Sequence, residues 1–260
     1  MVTPKKQLGQ HWLKDKAALN AIVDAAEVKP GEVVLEIGPG LGDLTQVLIN
    51  RGAAITAVEF DEALAVSLAS RINDPDKLLS VENKDIMHYN LGSLPKDYKV
   101  VANIPYYLTS GLIRLLAETD NPPYRAVILV QKEVAQRVAA KPGAMSILSV
   151  TAQVYFKASL GLIVPAKLFM PPPKVDSQVL ILDRRSKPLF GNQDPKELFR
   201  LVKAGFSERR KKLRSSLSGG LQISKQEAEK LLESASIDPN LRAQNLSLAD
   251  WIVLSSGIYF

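Results

Sequence analysis

The chain has 260 residues, is 46% hydrophobic and carries a formal net charge of +6. Its length suits one large domain plus a smaller one, and its positive charge favours a polyanionic partner. It has no Cys and only two imidazoles, His11 and His88, which excludes disulfides, iron–sulfur clusters and Cys nucleophiles and predicts no metal.

In chain order, Met1 to Leu13 holds two lysines but no apolar run of signal-peptide length. No later window approaches the ~18 apolar residues of a bilayer span, so a soluble, cytoplasmic protein with no membrane partner is expected. Val33-Val34-Leu35-Glu36-Ile37 reads as a buried strand, followed by a glycine-rich turn and a helix from Asp43 to Asn50. Ile55 to Glu59 is the second strand, and Asp61 caps a helix toward Ile72. Leu78 to Val81 is a weaker third strand, Tyr98 to Ala102 a fourth and Ala126 to Val130 a fifth. Helical segments from Leu108 to Ala117 and from Gln131 to Ala139 follow the last two. The alternation predicts an α/β fold with a parallel, doubly wound sheet. Ser146 to Tyr155 reads as a helix, and strands near Leu160–Val164 and Gln178–Leu182 flank Pro171-Pro172-Pro173. After Arg185 the pattern is helical only, with Gly191 to Pro195 as a capped start. Two domains are expected, 1–185 and 186–260.

The polar residues cluster at the strand ends, where open α/β sheets bind ligands. The first strand runs into Gly38-Pro39-Gly40-Leu41-Gly42, the second ends in Glu59, the third near Asp85 and the fourth in Asn103. Gly38 and Gly40 let backbone approach a ligand at a helix N-terminus. Glu59, twenty-one residues after Gly38, is placed to accept both hydroxyls of a ribose, and Asp85 to accept from an adenine amino group. The Gly-x-Gly-x-Gly spacing differs from the Gly-x-Gly-x-x-Gly of a pyrophosphate fingerprint. With Glu36 before the turn, it suits an amino-acid-bearing nucleoside, S-adenosylmethionine. Glu36 either contacts that cofactor or bonds to the turn backbone.

Asn103-Ile104-Pro105-Tyr106 points to a chemistry. The lone pair of adenine N6 is delocalised into the ring, so the amine is planar and a poor nucleophile. The Asn103 side-chain oxygen and the Ile104 carbonyl can accept its two N–H bonds, which favours a pyramidal amine ready for in-line attack. Pro105 fixes its own φ and biases Ile104 toward an extended conformation. Tyr106 offers a face for a base taken out of its stack. The implied reaction is methyl transfer to an exocyclic amine of a nucleobase.

From Arg200 to Arg214 there are seven basic residues against one acid, Glu208. Phe206, Leu213 and Leu217 recur at helical spacing, which predicts a helix with one buried stripe. Beside an adenine-methylation motif, the charges of Arg209, Arg210, Lys211, Lys212 and Arg214 read as phosphate contacts rather than a solvated face.

The sequence resembles the ribosomal-RNA adenine N6-dimethyltransferases that act near the 3′ end of small-subunit RNA. Besides the motifs above, the resemblance rests on Gly9-Gln10-His11-Trp12-Leu13, Asp85-Ile86-Met87, Gln131 to Arg137, Phe169 to Ser177, Phe206 to Leu213 and Asp238 to Ala243. It implies a seven-stranded, Rossmann-like S-adenosylmethionine-dependent methyltransferase sheet with an antiparallel last strand and a small C-terminal helical domain. It also implies that His11 and Leu13 lie across the methionine part of the cofactor, with His11 where the family often has Asn. Phe169 would face Tyr106 across the target base. The implied partner is small-subunit (16S) RNA in the assembling 30S particle, and the implied state a monomer. The implied product is N6,N6-dimethyladenosine at two adjacent adenosines of a hairpin loop. Other readings are a non-catalytic RNA-binding assembly factor, an enzyme acting on large-subunit RNA, and a nicotinamide-dependent oxidoreductase, the last disfavoured by the glycine spacing.

Overall fold

A computed structural model describes residues 3–257. Two-residue strand β1 (Trp12–Leu13) precedes helix α1 (Lys16–Ala26), whose N-cap Asp15 accepts the Ala18 N–H at 2.8 Å. There follow β2 (Val33–Ile37), α2 (Asp43–Asn50), β3 (Ala54–Glu59), α3 (Glu62–Arg71), β4 (Leu79–Asn83) and β5 (Lys99–Asn103). Next come α4 (Thr109–Glu118), β6 (Arg125–Gln131), α5 (Lys132–Val138), α6 (Ile147–Tyr155), β7 (Phe156–Val164), the two-residue β8 (Phe169–Met170) and β9 (Ser177–Arg184). Helices α7 (Pro195–Gly205), α8 (Leu213–Leu221), α9 (Lys225–Ser234) and α10 (Leu248–Ser256) complete the chain.

The main sheet has seven strands in the order β4-β3-β2-β5-β6-β9-β7. β2 pairs in parallel with β3 and β5, β3 with β4, and β5 with β6. β9 runs antiparallel against β6, as the resemblance implied for the last strand. The central strands are apolar on both faces because helices cover both sides of a parallel sheet. Val34, Val101 and Val127 join Leu19, Ile22 and Leu48 of α1 and α2 in one core. β1 and β8 form a separate antiparallel pair, Trp12 opposite Met170 and Leu13 opposite Phe169.

The chain divides into two compact units, residues 1–135 with 158–184 and residues 136–157 with 185–260. The last crossing falls at 184/185, one residue before the expected division at 185/186, and the segment 136–157 groups with the helical unit. The reason is packing: Met145, Val150 and Val154 are buried in the helical unit's own core, with Leu198, Leu201, Leu217 and Trp251. α7 begins as expected, with Pro195 at its start and the Asp194 side chain accepting the Lys196 N–H at 2.8 Å. Gly220 lets α8 approach α7, since a Cβ there would stand 2.5 Å from the Ala204 Cα. Among the described residues no helix is long and apolar enough to cross a membrane.

Candidate active site

Strand order reverses at β2, with β3 and β4 on one side and β5 and β6 on the other. The carboxyl ends of β2 and β5 therefore flank the point where α/β sheets take ligands. There the two motifs meet: a Cβ on Gly38 would stand 3.8 Å from the Asn103 carbonyl oxygen. A cavity of about 200 Å³ opens at this junction. It is lined by His11, Leu13, Gly38, Gly40, Glu59, Asp85, Asn103, Ile104, Pro105, Tyr106 and Phe169. Every residue singled out for catalysis or cofactor contact thus faces one space.

The glycines of the β2–α2 turn have distinct tasks. Gly38, Gly40 and Gly42 all have positive φ, at +66°, +60° and +91°, which L side chains adopt only with strain. A Cβ at Gly42 would also strike Ile72 at 2.6 Å, and one at Gly40 would press the Trp12 ring at 3.2 Å. Trp12 therefore packs directly on the cofactor turn. Glu59 closes the turn from the next strand: its two carboxylate oxygens accept the Gly40 N–H at 3.0 Å and the Asp61 N–H at 2.9 Å. Burial raises the Glu59 carboxyl above its ordinary range, while these backbone donors oppose the shift. A carboxylate has four acceptor sites, so Glu59 keeps acceptor capacity for a diol.

Asp61 caps α3, and it also ties down the N-terminal segment. Lys5 Nζ donates to it at 2.9 Å and Gln10 Nε2 at 3.1 Å. Burial works against its ionisation, yet the Lys5 and Gln10 bonds hold its carboxyl below the ordinary range. Glu36 is the opposite case. It lines the cavity, is only 1% exposed, and neither carboxylate oxygen has a hydrogen-bond partner. Burial pushes it up to about 8, eased by the nearby Thr45 hydroxyl and reinforced by Glu59. Of the two sequence-based alternatives, bonding to the turn backbone is the one that the structure rejects.

At the end of β5, Asn103 Nδ2 points to the His11 carbonyl at 3.5 Å. That assignment leaves Oδ1 as the free acceptor of the amide. Pro105 sits at φ −55°, ψ 133°, and Ile104, 3% exposed, is confined to extended conformations by it. The Tyr106 hydroxyl shares a hydrogen bond with Ser177 Oγ at 2.7 Å. Burial raises that phenol, and the Ser177 bond opposes it. The ring packed alongside Tyr106 is that of His11, with centroids 6.1 Å apart and planes 20° from parallel. His11 Nδ1 lies 2.7 Å from the Pro171 carbonyl, so Nδ1 carries the proton in that contact. Phe169 lines the same cavity but is 4% exposed and belongs to the apolar core. Asp85 uses one oxygen to cap a short turn through the Met87 N–H at 2.9 Å, and the other lies 3.3 Å from His88 Nδ1.

The basic run lies in the helical unit and forms no continuous helix. α7 stops at Gly205 and α8 starts at Leu213, so Arg209, Arg210 and Lys211 occupy the exposed turn between them. The turn is dictated by packing, because Phe206 stacks on Trp251 with centroids 5.6 Å apart and Leu213 is fully buried. Lys212 Nζ donates to Asn240 Oδ1 at 2.8 Å, and Arg214 is paired with Glu229. Arg214 is thus already engaged within its own unit, unlike its three exposed neighbours.

Sequence reading missed Gln10 and Asp61 as the anchor of the N-terminal segment, Ser177 as the Tyr106 partner, and Phe60 and Tyr107 on the cavity wall. Gln10 and Ser177 fall inside family-like segments; Phe60 and Tyr107 adjoin named site residues, which was the available signal.

The family model for ribosomal RNA adenine dimethylase matches residues 1–258. The chain belongs to that family. "Ribosomal RNA small subunit methyltransferase A" of Nostoc sp. is 40% identical, with 98% of each chain covered. The protein of the same name from Dehalococcoides mccartyi is 38% identical over 96% of this chain and 87% of its own. Among solved structures, a dimethyladenosine transferase from Plasmodium falciparum aligns with a TM-score of 0.78 at 26% identity, covering 93% of this chain and 95% of its own. The 23S rRNA methyltransferase ErmE aligns with a TM-score of 0.75 at 27% identity, covering 95% and 98%. The adenine dimethylase fold is therefore an S-adenosylmethionine-dependent methyltransferase sheet, and the chain is an rRNA methyltransferase. The residues present fit that cofactor: Glu59 keeps acceptor capacity for a ribose diol, and Glu36 is a buried carboxyl without a hydrogen-bond partner, suited to a cationic ligand.

Proposed function

We propose that this protein dimethylates N6 of two adjacent adenosines in a hairpin loop near the 3′ end of small-subunit rRNA, as a cytoplasmic monomer acting on the assembling 30S particle. The observation that carries the reading is the junction of Gly38 with Asn103, which sets a nucleoside-binding turn beside an amine-accepting strand end. Glu59 accepts the ribose hydroxyls, Asp85 receives the adenine amino group, and His11 and Leu13 lie over the methionine part. S-adenosylmethionine supplies an electrophilic sulfonium methyl. Asn103 Oδ1 and the Ile104 carbonyl accept from N6 and localise its lone pair. Tyr106 and Phe169 hold the base, a stack contributing roughly 1–3 kcal/mol each against the few kcal/mol of unstacking. No side-chain base is needed, since the methylated cationic amine loses its proton readily to water; the protein's part is positioning in a water-poor site.

The exposed Arg209, Arg210 and Lys211, with Lys212, supply phosphate contacts. The small-subunit assignment is supported by the names of the relatives at 38% and 40% identity. The likeness to ErmE supports large-subunit RNA as the second reading. Incubation of purified protein and S-adenosylmethionine with each RNA, followed by nucleoside mass spectrometry, tests the choice. N6,N6-dimethyladenosine in small-subunit RNA is expected; a product confined to large-subunit RNA overturns the assignment, and monomethyladenosine alone overturns the product.

A further inference from the structure

Two consecutive tyrosines follow Pro105, and they are held in opposite ways. Tyr106 is half-buried, bonded to Ser177 and packed beside His11. Tyr107 is 65% exposed, yet it still lines the cavity. One edge of its ring is propped by the N-terminal segment: a Cβ on Gly9 would stand 3.7 Å from both its Cδ1 and Cε1. Gly9 has a φ of +61°, which suits glycine and lets backbone approach the ring. Among the described residues, the Tyr107 hydroxyl has no hydrogen-bond partner. Of the exposed aromatic rings Phe60, Tyr107 and Tyr124, the first two border this cavity. Phe60 directly follows the ribose acid Glu59, whereas Tyr107 follows the amine-accepting loop.

A polynucleotide that sends one base past Tyr106 loses a stacking partner for the base beside it. That neighbour stays at the rim, joined by one phosphodiester, with an apolar face exposed to water. Aromatic rings serve such bases without regard to sequence, because every base has a π-face. We propose that Tyr107 is the stacking platform for the nucleobase next to the target adenine, a second base subsite outside the catalytic pocket. The assignment rests on the proposed function, and for two adjacent target adenosines it gives the waiting base a defined seat while its neighbour is methylated. The phenol hydroxyl has no part in it; the ring does the binding.

The test uses the full chain and an RNA hairpin carrying 2-aminopurine beside the target adenosine. Stacking on Tyr107 quenches the probe, so the complex with Tyr107→Ala should be the brighter one. Tyr107→Ala should also raise KM for RNA about tenfold, within the range found for loss of one base–aromatic stack, with S-adenosylmethionine affinity unmoved. Tyr107→Phe should restore both readouts, and Tyr107→Trp should match or exceed it. Equal brightness and equal KM in the Ala variant overturn the proposal. So does a Phe variant as impaired as Ala, because the hydroxyl would then be the contact. A wild-type protein that leaves the RNA unmethylated overturns the proposed function instead, while probe brightness, which needs no turnover, still judges Tyr107.

Discussion

Glu59 Oε2 accepts the Gly40 N–H at 3.0 Å, so the carboxylate at the end of β3 braces the glycine turn at the end of β2. Its other oxygen accepts the Asp61 N–H at 2.9 Å, and Asp61 in turn holds Lys5 and Gln10. One side chain thus shapes the turn, the start of α3 and, through Asp61, the N-terminal segment that lines the cavity.

Glu59→Ala should therefore do more than remove the proposed ribose acceptor. Loss of hydrogen bonds to a charged acceptor costs about 1.5–3 kcal/mol, so S-adenosylmethionine affinity should fall roughly ten- to a hundredfold. The ligand-free protein should also melt earlier, because two buried N–H groups lose their partner. Glu59→Gln should not restore binding, since its amide nitrogen would oppose one of those donors. Calorimetry and thermal melting check both halves; unchanged affinity in the Ala variant removes Glu59 from the site.

Asn103→Ala deletes the acceptor that the proposed mechanism sets against the reacting amine, and turnover should drop about 10²–10³-fold, the scale for losing one preorganised polar group. Asn103→Asp keeps an acceptor but sets a carboxylate against the His11 carbonyl, now 3.5 Å from Nδ2, so it should not rescue. Single-turnover methylation of RNA measures the step. A near-wild-type rate in the Ala variant refutes the lone-pair argument.

What could be read in advance followed the range of the interactions. The cofactor turn, Glu59 and Asn103 sit at or just past the ends of strands with strongly apolar runs, and Asp85 follows the weaker β4, so local pattern places them. The α1 helix carries equally local signals, an Asp15 cap and apolar Leu19, Ile22, Val23 and Ala26. The β1–β8 pair was not readable, because two-residue strands have no period and Leu13 meets Phe169 across more than 150 residues. The same holds for the His11–Pro171 and Tyr106–Ser177 bonds. In the basic run, helical spacing of Phe206, Leu213 and Leu217 was a true mark of burial but not of one helix, since Trp251 draws the chain back. The segment 136–157 changes unit for a similar reason: its apolar residues fit either core by composition, and only the packing decides.

Replacing Arg209, Arg210, Lys211 and Lys212 together should weaken RNA binding and flatten its salt dependence. Each lost phosphate contact removes roughly 0.7–0.9 from the slope of log K against log salt, so the change should be roughly three to three and a half if all four contribute. S-adenosylmethionine affinity should stay put, because the cavity is lined by residues of the other unit. Arg214→Ala should instead lower thermal stability through its lost Glu229 partner. Salt titrations of binding decide it; an unaltered slope returns the turn to a solvated surface.

Glu36 makes the ligand-free protein sensitive to pH. Its folded carboxyl is pushed up to about 8 from an ordinary 4.5, first by burial. Between those values the folded state keeps a proton that the unfolded state has released. Stability must then fall as pH rises through that window, with the loss complete above the folded value. Glu36→Gln keeps the shape without the titration, so its melting temperature should gain on wild type progressively from pH 5 to pH 8. Some slope should persist, because Glu59 is raised in the same direction. S-adenosylmethionine is cationic at sulfur and at its amino group, and a cation in the cavity favours the charged carboxylate. Binding at neutral pH should therefore release protons from wild type, detected as a binding heat that changes with the ionisation heat of the buffer. Glu36→Gln should bind with little proton release. A variant that tracks wild type in both melting and proton release would mean that Glu36 is already ionised and paired in solution.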